Sequence, residues 1–123
     1  MRLDVHTDGM EGWKRRALAD ARLLDRGKRL RPSRRITFES AEEMVRMMSD
    51  ARRKVFEVVR KKPAMTVSQI ARTLKRDPSA VSKDVTEMER VGILQSKEVV
   101  NPGHGVVKQI SASAEKITLT ATL

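Results

Sequence analysis

Apolar residues recur at two different intervals along this chain, and the change of interval organises it. From Glu11 to about Arg26, Trp13, Ala17, Ala21 and Leu24 return at helical spacing with Leu18 beside them, which predicts a helix with a narrow apolar stripe. The stripe suits three occupants: the rest of the domain, a second subunit or another protein. Gly27 ends this helix. Ile36–Glu39 alternates apolar and polar residues and predicts a short strand. Ser40, with Glu43 three residues later, forms a capping box for a helix expected to run unbroken over 40–62. Met44, Met48, Ala51, Val55, Val58 and Val59 make its stripe, with Met47 and Phe56 flanking and the methionines read as core filler. Pro63-Ala64 breaks the chain. Thr66 or Ser68 caps a helix over 67–75 whose core face is Ile70, Ala71 and Leu74, and Lys75-Arg76 makes a turn. Asp77 is then the N-cap and Pro78 the first residue of a helix over 78–91, where the missing proline N–H has no cost. Val81, Val85 and Met88 form its buried face, and Gly92 stands where a C-cap belongs.

After Gly92 the period becomes two. ILQSKEVV and VVKQI read as strands around the dense turn signal Asn101-Pro102-Gly103-His104-Gly105, giving a hairpin over 93–111. ITLTATL at the end alternates strictly and predicts a strand over 116–122. It is expected to pair with the strand at 36–39, with the hairpin or with a second subunit. Residues 1–10 show no period and are expected to be disordered. Lys28–Arg35, KRLRPSRR, is a basic linker interrupted by Pro32. It suits either an arm that tracks phosphates through Arg34 and Arg35 or a solvated spacer. The expected organisation is a basic arm over 1–35 and one α+β, mainly helical domain over 36–123.

Composition narrows the partner. Aromatic residues are 2% of the 123, so the core is aliphatic and stacking on single-stranded bases has little support. The net charge is +10, with +5 over residues 1–39, +4 over 40–92 and +1 over 93–123, which points to a polyanion. Structured RNA is compatible with that charge. There is no Cys, no apolar run of membrane-spanning length and no signal-peptide core, so a cytoplasmic protein is expected. Catalysis has no candidate. His6 and His104 are the two histidines, one in the tip expected to be disordered and one in a Gly-rich turn, and no phosphate-binding glycine motif occurs. No metal or cofactor is expected.

The residues do support contact with double-stranded DNA. The helix over 78–91 would enter the major groove, with Ser79 and Ser82 near its N-terminus and Lys83 and Thr86 in reach of base edges. Arg90, nearer the end, would meet the backbone, and Arg72, Lys75 and Arg76 flank the turn where phosphates are gripped. Lys97, His104 and Lys108 on the hairpin would approach the adjacent minor groove. Asp84 and Glu87 oppose phosphate unless they pair, with Lys83–Glu87 the expected pair at i,i+4.

The stretch TVSQIARTLKRDPSAVSKDVTEMERVGIL resembles the winged helix-turn-helix of MarR-like and related prokaryotic regulators. The longer run from ITFESAEEM onward is similar to a group of small archaeal and bacterial DNA-binding proteins, some of them similar to antitoxins encoded beside a toxin. The resemblance covers about residues 36–110. It implies a winged helix-turn-helix transcriptional regulator, with the hairpin as wing, acting as a homodimer on a palindromic or repeated operator. A long dimerisation helix after the wing, usual in MarR proteins, has no counterpart here, which argues against ligand sensing. The alternative is an antitoxin or other protein-interaction module, whose N-terminal arm and C-terminal strand hold a toxin-like partner while DNA binding serves autoregulation.

Overall fold

In chain order the elements are β1 (Arg2–His6), α1 (Gly9–Asp25), β2 (Ser33–Thr37), α2 (Ala41–Met47), α3 (Asp50–Lys61), α4 (Val67–Leu74), α5 (Pro78–Arg90), β3 (Leu94–Asn101), β4 (Gly105–Ala112) and β5 (Lys116–Leu119). They come from a computed structural model that describes residues 2–28 and 33–121. Residues 29–32 of the basic linker, the side chain of Arg34 and the expected end of the last strand at 122 lie outside the described residues. The chain divides into two units, Met1–Arg46 with Glu115–Leu123, and Met47–Ala114. This differs from the expected arm and single domain, because the first and last strands pair with each other and not with the hairpin.

In the first unit, β1 is the middle strand of a parallel sheet ordered β2-β1-β5. The expected disorder of residues 1–10 is corrected. Leu3 and Val5 alternate with Arg2, Asp4 and His6, and both are almost wholly buried. Leu3 lies opposite Arg34 and Ile117, and Val5 opposite Ile36 and Leu119. The final strand therefore joins β1, not the strand near 36–39, and that strand begins three residues earlier than its alternation suggested.

The expected helix over 40–62 is two helices. Ser40 caps the first, its Oγ accepting from the Glu43 N–H at 3.2 Å. Ser49 caps the second, its Oγ accepting from the Arg52 N–H at 3.4 Å, with Asp50 in the first turn where the helix dipole favours an acid. A second local start signal thus divides a stripe that looked continuous.

Helix α1 turns its polar side to its own unit. The Asp8 carboxylate accepts from Arg16 Nη1 at 2.8 and 2.9 Å, and Arg16 Nη2 donates to Thr37 Oγ1 at 3.1 Å. Arg35 Nη2 donates to Asp20 at 3.2 Å. Gly12 makes room for this cluster, since a Cβ there would sit 1.9–2.1 Å from the Asp8 carboxyl atoms. The apolar stripe is left outside, with Trp13 51% and Leu24 56% exposed.

The second unit is a three-helix group with an antiparallel hairpin, β3 to β4, whose register runs from Leu94 opposite Ala112 to Asn101 opposite Gly105. Val55 and Val59 of α3, Ile70 of α4, Val81 and Met88 of α5, and Ile93 and Ile110 are fully buried. Each such side chain contributes roughly 1.5–3 kcal/mol by leaving water. Met65, just before α4, is tied to the hairpin, its carbonyl accepting from the Ile110 N–H at 2.7 Å.

The polar cluster of the first unit makes its stability depend on pH. Burial, aided by the Arg16 guanidinium, holds His6 below its ordinary 6.5 against the opposing pull of Asp8 and Asp4. The hydrogen bond from Arg16 holds the Asp8 carboxyl below its ordinary 3.8. In both cases the unfolded chain binds the proton more readily, so stability is complete above the ordinary value and falls as pH drops below it. The urea midpoint of this unit, read from the fluorescence of Trp13, is therefore expected to decline first below pH 6.5 and again below 3.8. His6→Asn should abolish the first decline and keep the second. An unchanged profile would place His6 outside the linkage.

Candidate nucleic-acid interface

Helix α4 begins with a complete capping box. Thr66 Oγ1 accepts from the Gln69 N–H at 3.2 Å and Gln69 Oε1 accepts from the Thr66 N–H at 3.0 Å. Thr66, rather than Ser68, is thus the cap. The helix ends with the Arg76 N–H donating to the Ala71 carbonyl at 3.0 Å and the Lys75 N–H to Arg72 at 3.3 Å. Helix α5 ends with the same paired bonds, Ile93 to Met88 at 2.9 Å and Gly92 to Glu89 at 3.0 Å. This closure needs one residue in left-handed backbone. Gly92 supplies it after α5 (φ 89), and Lys75 after α4 (φ 54, ψ 47). A lysine there is less favourable than glycine by about 1 kcal/mol. At the start of α5, Asp77 and Pro78 take the N-cap and first positions, though the Asp77 side chain makes no capping bond.

With Val81, Val85 and Met88 buried, the opposite side of α5 exposes Ser79, Ser82, Lys83 and Thr86. Its carboxylates are all engaged. Asp84 lies between two arginines, with Oδ1 3.1 Å from Arg52 Nε of α3 and Oδ2 2.9 Å from Arg76 Nη2 of the turn. Arg52 is itself fixed by the Met47 carbonyl at 3.2 Å. Glu87 accepts from Arg90 at 3.0 Å, not from Lys83, and Glu89 faces Lys108 of β4 at 3.3 Å. The expected Lys83–Glu87 pair is thus replaced. Arg90 sits three residues along, where its Nε and Nη2 both reach the Glu87 carboxylate.

The candidate residues fall into three groups. Arg72, Lys75, Ser79, Ser82, Lys83 and Thr86 are exposed around the turn and the outer side of α5, and Arg72, Lys75 and Lys83 have no ion pair among the described residues. Arg76, Arg90 and Lys108 are ion-paired. On the hairpin, Lys97 and His104 are exposed, with His104 in the tip. Arg34 and Arg35 belong to β2 of the other unit, where Arg35 pairs with Asp20. Arg52 was missed by sequence reasoning. It lines an open recess with Ser82, Lys83, Thr86 and Glu87. No local signal connects residue 52 to residues 82–87, because the packing of α3 on α5 creates the proximity. Among the described residues no cluster of His, Asp or Glu gathers to hold a metal ion, and no helix is long and apolar enough to cross a membrane.

A family model, HVO_A0114, matches residues 47–118, the second unit and a few residues beyond it. No curated protein matches the sequence at a significant level. Among solved structures the chain is similar to a possible transcriptional regulator from Methanosarcina mazei Go1, at 20% identity and a TM-score of 0.50 over 58% of this chain and 62% of that one. It is also similar to the transcriptional regulator SlyA, at 19% identity and a TM-score of 0.51 over 82% of this chain and 62% of that one. The chain thus spans under two thirds of the length of either structure. The likeness is one of fold: a winged helix-turn-helix in an α+β setting, with β3 and β4 as the wing.

Two helices closing alike, one with glycine and one with lysine, give a direct test of what Lys75 is for. Lys75→Gly should raise thermal stability, by about 0.5–1 kcal/mol once the greater freedom of glycine in the unfolded chain is counted. The same variant should bind duplex DNA more weakly. Melting temperature and fluorescence anisotropy check the two halves, and tighter DNA binding would remove Lys75 from the interface.

Proposed function

The chain belongs to the HVO_A0114 family, and we propose that it is a sequence-specific regulator of transcription that lays α5 in the major groove of double-stranded DNA. The observation that carries this reading is the division of charge on α5. Asp84, Glu87 and Glu89 each have a basic partner, so the carboxylates within α5 are neutralised around Ser82, Lys83 and Thr86, and the N-cap Asp77 is the one beside Ser79 with no ion pair among the described residues. Lys83 is suited to guanine O6 and N7, and Thr86 to a thymine methyl or a neighbouring acceptor. Arg72 and Lys75 hold the flanking phosphates. The wing follows the backbone through Lys97 and His104 toward the minor groove. A winged helix-turn-helix on a repeated operator works as a pair of copies. The exposed stripe of α1 favours a protein contact as well, which keeps an interaction role open beside DNA binding.

Selection from a random duplex library, followed by anisotropy on the selected and a shuffled duplex, tests the reading. Affinity for the selected duplex should fall with salt at a log–log slope of roughly −3 or steeper, as three or more phosphates are neutralised. Lys83→Ala should reduce the preference for the selected duplex roughly tenfold, the loss of one base contact. Arg72→Ala should weaken both duplexes alike and make the slope shallower by about 1. Equal affinity of the unmodified chain for both duplexes would contradict a sequence-specific regulator.

A further inference from the structure

Helix α1 is amphipathic in the reverse of the usual sense. Its inward side carries Arg16 and Asp20, held by Asp8 and Arg35, while its apolar stripe lies on the adjoining flank, exposed along its length and bordered at Met10 and Trp13 by an open recess with Arg35, Thr37 and Glu39 of the same unit. Five of the nine large hydrophobic side chains that are exposed among the described residues lie on this one helix, Met10, Trp13 and Leu24 on one stripe and Leu18 and Leu23 away from it. At 100° per residue, Met10, Trp13, Ala17, Ala21 and Leu24 fall within an arc of about 80° along a helix about 25 Å long. An apolar face of this density on a charged protein marks a contact surface.

We infer that the occupant of this face is the same face of a second copy, with the two α1 helices antiparallel and a two-fold axis passing Ala17. The stripe is complementary to itself in that arrangement. Ala17 is the midpoint of Gly9–Asp25, so reversal places Met10 against Leu24, Trp13 against Ala21, and Ala17 against Ala17. The largest side chain thus meets a small one, and the two alanines at the axis allow close approach. Parallel pairing would set Trp13 against Trp13. Antiparallel pairing also opposes the helix dipoles favourably, and it brings Lys14 of one copy to the flank that carries Asp25 of the other. Charge permits the contact. The chain carries +10, but Gly9–Asp25 has four basic and three acidic side chains, so like-charge repulsion is small there. One helix face buries less than the roughly 1,200 Å² of a typical stable interface, so the pair is reversible and its population depends on concentration. The inference supplies a surface for the paired copies of the proposed regulator, yet it needs no DNA. Failure of the contact and failure of DNA binding are separate results.

The absence of cysteine from the chain makes the test clean. Ala17→Cys in the full chain, oxidised mildly without DNA, should give a disulfide-linked dimer as the main product. Ala19→Cys, on the opposite side of α1, should stay monomeric. Both positions are exposed, so the fold is retained, and circular dichroism verifies it. Adding Trp13→Ala to Ala17→Cys should slow the crosslink about tenfold, the loss expected for an aromatic anchor. The unmodified chain gives an independent readout, because Trp13 is its only tryptophan and its emission should move to shorter wavelength as concentration rises. Ala17→Cys crosslinking no faster than Ala19→Cys, or an emission maximum that ignores concentration, would overturn the inference. So would Met10→Cys crosslinking to itself at a rate comparable to Ala17→Cys, which is the signature of a parallel pair.

Discussion

The Asp84 carboxylate, set between Arg52 and Arg76, is the interaction on which the display of α5 depends. It joins three elements that hydrophobic packing alone leaves free to slide: α3 through Arg52, the inter-helix turn through Arg76, and α5 itself. Val81, Val85 and Met88 decide which side of α5 is buried, but a stripe of aliphatic side chains tolerates some rotation about the helix axis. The Arg52 Nε hydrogen bond to Oδ1 is directional and fixes the roll, while the Arg76 guanidinium holds Oδ2 by charge. The same contact removes a negative charge from a surface that must approach phosphate. Glu87 and Glu89 are withdrawn in the same way by Arg90 and Lys108.

The first unit uses ion pairs for a different end. There Asp8 with Arg16, and Asp20 with Arg35, seat α1 by its polar side, and the helix is left with an exposed apolar face. Gly12 is required for that seating because the Asp8 carboxylate occupies the space of its missing side chain. The cationic surface of the second unit suits a polyanion, and the nearly neutral apolar face of α1 suits protein.

The second unit was legible in the chain because its signals are local. Thr66 and Gln69, Pro78, and Gly92 each act on residues within a few positions, and the apolar residues of α4 and α5 keep a single period. The first unit was not legible for the opposite reason. β1 is five residues long, with charged neighbours on either side of Leu3 and Val5, and it becomes a strand by lying between β2 and β5, which are distant in sequence. The break between α2 and α3 was masked by a stripe that continues across Ser49 even though that residue starts a new helix. At the candidate interface, the identity of the exposed residues on α5 could be read from spacing. That Arg76, Arg90 and Lys108 would be paired, and that Arg52 would stand beside Lys83, could not, since those contacts depend on how α3, the turn and the hairpin pack around α5.

The central claim is that the outer side of α5 is the surface that meets DNA. Amide chemical-shift mapping of the labelled chain titrated with a selected duplex tests it most directly. The account predicts the largest changes at Ser79, Ser82, Lys83 and Thr86, with smaller ones at Arg72, Lys75 and the wing tip around His104. Changes centred on α1 or on the β2-β1-β5 sheet, with α5 unmoved, would contradict it.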